Sequence, residues 1–169
     1  MISKKMAKAL NDHLNKELYS SYLYLSMQAY CENAGLKGLA NWFNVQVQEE
    51  IFHGQKVYKY ILDQGEQVIL EAIEKPENKF KSTFDLYEKT LRHEQNVTAR
   101  INKLVDLAKK ENDHATEGML QWFVSEQVEE ETSVNDIIQQ LKLIGKDGSG
   151  LFMLDRELGQ RTFTPPAEN

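Results

Sequence analysis

The chain has 169 residues and a mass of 19.6 kDa, enough for one domain with a substantial buried core. With 9 Gly, 3 Pro and 1 Cys it is not collagen-like, low-complexity or a disulfide scaffold. Lys plus Arg total 20 against 26 Asp plus Glu, a net charge of -6, so nucleic acid is not an expected partner. The start, Met1-Ile2-Ser3-Lys4-Lys5-Met6-Ala7-Lys8, has positive charge with no apolar run behind it, so no secretory leader is expected. No stretch approaches the roughly 18 unbroken apolar residues of a membrane span, so no membrane is expected either. A lone Cys31 fits a reducing cytoplasm and reads as a packing residue.

In chain order, Gly35, Gly65 and Gly145 each follow a long helical pattern, where glycine closes a helix. They delimit a first helix from Ser3 to Asn33, a second from Lys37 to Gln64, a third from Ser82 to Glu111 and a fourth from His114 to Ile144, with Asn112-Asp113 as the turn before the last. After Gly145 a short apolar segment, Leu151-Phe152-Met153-Leu154 with Leu158, predicts a smaller fifth helix ending near Gly159. Residues 1–160 read as one domain and 161–169 as a polar tail. Four helices, each on the order of 40 Å long, predict an all-α four-helix bundle. The connection from Gly65 to Lys81 contains Pro76 and at about 17 residues is long for a compact domain. Extended, it spans about 55 Å, so it can cross from one end of the bundle to the other and make helices two and three parallel.

Each helix carries a seam with steps of three and four, the spacing of the face turned toward its neighbours. The first seam is Leu10, Leu14, Glu17, Ser21, Tyr24, Gln28 and the second Leu39, Phe43, Gln46, Glu50, His53, Val57, Tyr60. The third is Phe84, Tyr87, Leu91, Glu94, Thr98, Ile101, Val105, Ala108 and the fourth Leu120, Phe123, Gln127, Glu130, Val134, Ile137, Leu141, Ile144. Every seam is interrupted near its middle by metal-ligand residue types, at heights that agree within about a turn in each hairpin.

Buried carboxylates cost several kcal/mol each unless paired, and several in one layer repel one another. The seams contain no Lys or Arg, so each carboxylate is expected either to repel its neighbours or to take up a proton at a raised pKa. One or two divalent cations resolve both problems. Glu50 and His53, at i and i+3, project an oxygen and an imidazole to one point, and a carboxylate-rich site with one histidine suits iron or manganese better than thiolate-seeking metals. His13, His93 and His114 fall outside this layer and read as structural. By the same reading the run Glu126 to Glu131 is a solvated face, and Tyr24 a core aromatic.

The stretches Asn15-Lys16-Glu17-Leu18-Tyr19-Ser20-Ser21-Tyr22-Leu23-Tyr24, Gln48-Glu49-Glu50-Ile51-Phe52-His53, His93-Glu94-Gln95 and Gln121-Trp122-Phe123-Val124-Ser125-Glu126-Gln127-Val128-Glu129-Glu130 follow in order the pattern of the non-haem ferritin family, bacterial or archaeal type. The chain resembles that family over nearly its whole length. The resemblance implies a ferritin-like fold, ferroxidase activity with dioxygen or peroxide, iron storage, and a homo-oligomeric shell of about 24 subunits. It also implies a first iron site from Glu17, Glu50 and His53. Glu50 would bridge to a second site completed by Glu94, Gln127 and Glu130, with Tyr24 beside them. Glu49, Glu126, Glu129 and Glu130 would form a third site, a function for the acidic run. A bacterioferritin would carry a second Glu-x-x-His on the fourth helix and a haem-ligating Met on the second; Gln127 is instead followed by Glu130, and the second helix reads Ile51-Phe52, so no haem is expected. Leu120 stands where animal ferritins have a second channel acid after Glu117, which argues against an acidic threefold channel.

Two other classes use the same residues differently. A di-iron oxidase acting on an organic substrate is expected to show two Glu-x-x-His motifs. A metal-free helical module would use the seam acids for register.

Overall fold

Side-chain caps set where most of the helices begin. In a computed structural model, which describes residues 1–165, there are five helices and no strand among the described residues: α1 (Lys4–Asn33), α2 (Lys37–Asp63), α3 (Thr83–Glu111), α4 (His114–Ile144) and α5 (Gly148–Leu158). Ser3, Ser82 and Asp113 accept the backbone N–H three residues on, at 2.9, 3.1 and 3.0 Å, and so satisfy donors with no partner inside α1, α3 and α4. Gly35, Gly65 and Gly145 follow α1, α2 and α4 at φ 76°, 74° and 59°, and Asn112 ends α3 at φ 53°, the left-handed geometry that stops a helix. The fifth helix starts three residues before the apolar segment that predicts it. The Asp147 carboxylate accepts from the N–H groups of Ser149 and Gly150 at 3.0 and 3.2 Å, drawing two glycines into its first turn. No described helix is long and apolar enough to cross a membrane.

Side-chain contacts give the topology. Ser20 meets His93 and Thr90 meets Met27, so α1 and α3 run antiparallel; Gln46 meets Glu130 and Tyr60 meets Thr116, so α2 and α4 do too. With α1 and α2 antiparallel as a hairpin, α2 and α3 are parallel. The crossover achieves this by lying along α1. Asn11 donates to the Gln67 carbonyl (3.0 Å) and accepts from Ile69 N–H (2.6 Å), Asn15 repeats the pattern with Ile69 and Glu71 (2.8 Å each), and Ser26 donates to the Glu77 carbonyl (2.8 Å). From Asn11 to Ser26 is about 22 Å of helix, most of a bundle length. An extended strap with no ladder partner thus has backbone groups of Gln67, Ile69, Glu71 and Glu77 satisfied by amide and hydroxyl side chains of α1.

The apolar core is divided in two. One cluster contains Leu23, Met27, Leu39, Trp42, Phe43, Leu86, Tyr87, Val134 and Ile137; the other contains Met6, Leu10, Leu14, Val57, Ile61, Val97, Ile101, Leu120 and Phe123. Between them lies the polar layer. Cys31 is buried in the first cluster, and burial pushes its thiol up to about 12, so it packs rather than reacts.

The fifth helix docks across the start of α2, where Leu39 N–H donates to Asp155 Oδ1 at 2.9 Å. A β-carbon on Gly38 would lie 1.5 Å from the Asp155 carbonyl oxygen, so only glycine lets these two backbones meet. Gly38→Ala is therefore expected to displace α5 and cost on the order of 2 kcal/mol, read as a lower thermal midpoint. An unchanged midpoint would contradict this packing.

Candidate metal centre

The layer between the two apolar clusters collects Glu17 and Tyr24 from α1, Glu50 and His53 from α2, Glu94 from α3, and Gln127 and Glu130 from α4. Each is at most 5% exposed, so solvent stabilises none of the four carboxylates. Helical spacing explains the convergence: each polar residue lies mid-way along an inward stripe that turns apolar toward both ends of its helix.

Two groups could hold a metal among the described residues. Glu17, Glu50 and His53 present one donor atom each within 4.8 Å of one another, and so do His53, Glu126 and Glu130. His53 belongs to both. Glu94 stands outside these groups. Tyr24 hydroxyl donates to its Oε1, and Gln127 Nε2 donates to its Oε2 at 3.1 Å. Glu49 and Glu129 join Glu126 and Glu130 around a neighbouring cavity of about 500 Å³. Buried oxygens Glu17 Oε1 and Glu50 Oε2 have no hydrogen-bond partner, an arrangement that costs free energy in the bare protein and suits a hard cation.

Electrostatics separates carboxylates that spacing treats alike. Burial works against ionisation of Glu17, but the field of His13 and the hydrogen bond and field of His53 outweigh it and hold its carboxyl down at about 2. The same contact acts on His13, whose pKa burial lowers, with Glu17 opposing that shift and Arg100 adding to it. His53 shifts the other way: burial pulls its pKa down, but the hydrogen bond and field of Glu17, followed by the fields of Glu130 and Glu126, raise it above the ordinary value. Glu50 is pushed well up by burial and then by Glu17 and Glu130, and Glu94 by burial and then by Glu130. Glu49 is raised to about 7 by burial, which Arg161 only partly offsets. The expectation of one uniformly strained layer therefore holds for Glu50 and Glu94 and fails for Glu17, which is paired.

Other groups border the layer without joining either metal-holding group. His13 is 2% exposed and its Nδ1 lies 3.2 Å from Glu17 Oε1, off the hydrogen-bonding line, so it borders the layer. Its position four residues before Glu17 was the available signal. His93 is also enclosed: Ser20 Oγ lies 2.8 Å from its Nε2, and burial lowers its pKa to about 4. Basic groups do reach the layer. The Arg100 guanidinium acts on His13, His93 and Glu94, with its Nε and Nη2 buried and unpartnered; Arg161 pairs with Glu49 at 2.7 Å. Neither arginine stands in a seam, so helical periodicity carried no signal for them.

The ferritin-like domain model matches residues 7–144, most of the chain. The chain belongs to the ferritin family. Curated ferritin relatives include the bacterial non-heme ferritins of Staphylococcus aureus (strain USA300) and Staphylococcus haemolyticus (strain JCSC1435), each 41% identical over 163 residues, covering 96% of this chain and 98% of the relative. Among solved ferritins, an open pore ferritin from the hyperthermophilic archaeon Archaeoglobus fulgidus superposes with a TM-score of 0.95 at 48% identity, covering 96% of this chain and 100% of the other. A closed form of that ferritin, engineered by site-directed mutagenesis, gives 0.96 at 48% identity over 97% and 100%.

Proposed function

We propose that this ferritin oxidises Fe(II) at the centre of its helical bundle and stores the ferric product inside a hollow cytoplasmic shell of 24 copies. The observation that carries the reading is the buried layer with orphaned carboxylate oxygens at Glu17 and Glu50 beside His53. Its family membership and the names of its relatives support iron as the substrate.

In this reading Glu17, Glu50 and His53 bind the first iron, and Glu50 also reaches the second, which Glu94, Gln127 and Glu130 complete. Hard carboxylate oxygens stabilise Fe(III) over Fe(II) and so lower the potential of the pair. Each Fe(II) gives up one electron; together they reduce one dioxygen to hydrogen peroxide with uptake of two protons, or one peroxide to two waters. Tyr24 orients Glu94 through its hydroxyl, and Gln127 holds the other oxygen of the same carboxylate. Glu49, Glu126, Glu129 and Glu130 receive a third iron beside the pair. As ligands bind metal they lose protons, so binding tightens as pH rises.

The test is anaerobic calorimetric titration with Fe(II), followed by admission of oxygen. Two or three Fe(II) are expected per chain, with oxidation far faster than in buffer. The assembled particle should have a mass of hundreds of kilodaltons and, after loading, hold far more iron than its centres could ligate. Binding no greater than to denatured chain ends the metal-centre reading. An iron content that stops at two or three per chain ends storage and favours a di-iron oxidase that retains its metals.

A further inference from the structure

The segment after α5 turns back onto α2 and ends on the acidic edge of the metal centre. Asn41 Nδ2 donates to the carbonyls of Leu158 and Arg161, at 3.2 and 2.9 Å, which fixes the returning backbone. The Arg161 guanidinium then lies over the Trp42 ring, 5.0 Å from its centroid. Its Nη1 donates to Gln46 Oε1 and, at 3.4 Å, to the Trp42 carbonyl, while Nη2 donates to Glu49 Oε2 at 2.7 Å. Gln46 passes the restraint on, since its Nε2 donates to Glu130 Oε2 at 2.8 Å. One arginine, directly and through Gln46, holds two of the four carboxylates assigned to the third iron.

We propose that Arg161 is a built-in counter-ion for the third iron position, which an incoming ion must displace before that site fills. This rests on the assignment of Glu49, Glu126, Glu129 and Glu130 as the third site. A guanidinium hydrogen-bonded to Glu49 Oε2 and a metal ion bound to the same oxygen repel each other, so Glu49 becomes available only when the forked contact breaks. The displaced side chain also leaves the Trp42 face. The arginine therefore makes the third site the last to fill and weakens its hold on an ion bound for the mineral. The Arg161 and Glu49 side chains are 26% and 23% exposed, so screening limits the effect to roughly three- to tenfold in affinity.

The experiment uses the full-length assembled protein, stripped of metal and titrated with Zn(II), which needs no oxidant. A Trp122→Phe background leaves Trp42 as the only tryptophan. Calorimetry is expected to show a weak last binding event that Glu49→Gln removes, accompanied by a step in Trp42 fluorescence. Arg161→Gln should tighten that event roughly three- to tenfold and abolish the step, leaving earlier events unchanged; Arg161→Lys should keep it weak. A last event that Glu49→Gln removes but Arg161→Gln leaves unchanged overturns the counter-ion role and keeps the third site. Absence of that event both from the protein that retains Arg161 and from the Arg161→Gln variant overturns the third-site reading and the proposal with it. If Arg161→Gln does not assemble, the Trp42 step decides: present at the last event it supports displacement, and absent it overturns it.

Discussion

Glu50→Ala is expected to slow single-turnover Fe(II) oxidation by about 10²- to 10³-fold, the loss seen when one positioned electrostatic group leaves a buried site. Glu50 presents a donor atom within 4.8 Å of those of Glu17 and His53, and its buried Oε2, 3.8 Å from His53 Nδ1, has no hydrogen-bond partner. In the proposed centre it is the one ligand common to both irons, so its loss leaves the metals unlinked and places two cations close together with less anionic charge between them. The isosteric Glu50→Gln keeps the shape and removes the charge; it should lose most of the same rate, which separates charge from a packing defect. Replacements of Glu49 or Glu129 should leave the first turnover nearly intact and act on later ones. Stopped-flow oxidation at two Fe(II) per chain measures this, and equal rates for the parent protein and Glu50→Ala would rule out bridging.

Glu17→Gln and Glu94→Gln are expected to shift the thermal midpoint of the metal-free protein in opposite directions near pH 7. Glu17 has a folded pKa of about 2, below its ordinary value, so its ionisation favours the fold. That contribution is fully present above the ordinary carboxyl value near 4 and is lost as pH falls toward the folded one. Removing its charge should cost about 2 kcal/mol near pH 7 and progressively less as pH approaches 3. Glu94 has a folded pKa raised by burial and by Glu130. Its native state holds a proton that the unfolded chain gives up, so stability falls as pH rises from the ordinary value through the folded one. The amide in Glu94→Gln needs no proton. It can turn its nitrogen to the Tyr24 hydroxyl and its oxygen to Gln127, and should raise the midpoint near pH 7 with no gain below about pH 4. Thermal unfolding with chelator checks both. Stabilisation by Glu17→Gln would refute its pairing with His53, and destabilisation by Glu94→Gln would show that its charge is matched, by Arg100 or otherwise.

The difference between these two glutamates marks how far the sequence reaches. Both stand mid-seam in their helices, and the seam correctly brings Glu17, Glu50, His53, Glu94, Gln127 and Glu130 into one buried layer. Caps at Ser3, Ser82 and Asp113, left-handed closures at Gly35 and Asn112, and the three-four stripes act within a few residues, so chain order alone reports them. The long crossover was legible from its length, but what pins it, Asn11 and Asn15, was not, because an amide on a helix face has no partner until the strap lies on it.

The sequence by itself therefore determined the helices, their parallel and antiparallel order and which acids face inward, since each follows from local periodicity and chain length. Only the tertiary structure decided their charge states and counter-ions. Glu17 is held low by His13 on its own helix together with His53 arriving from α2, Glu94 is held high because burial removes water while Glu130 adds like charge, and Glu49 meets an arginine 112 residues away because α5 docks at Gly38. Coulomb interactions depend on distance and burial across elements, and neither quantity is written in the spacing of one helix.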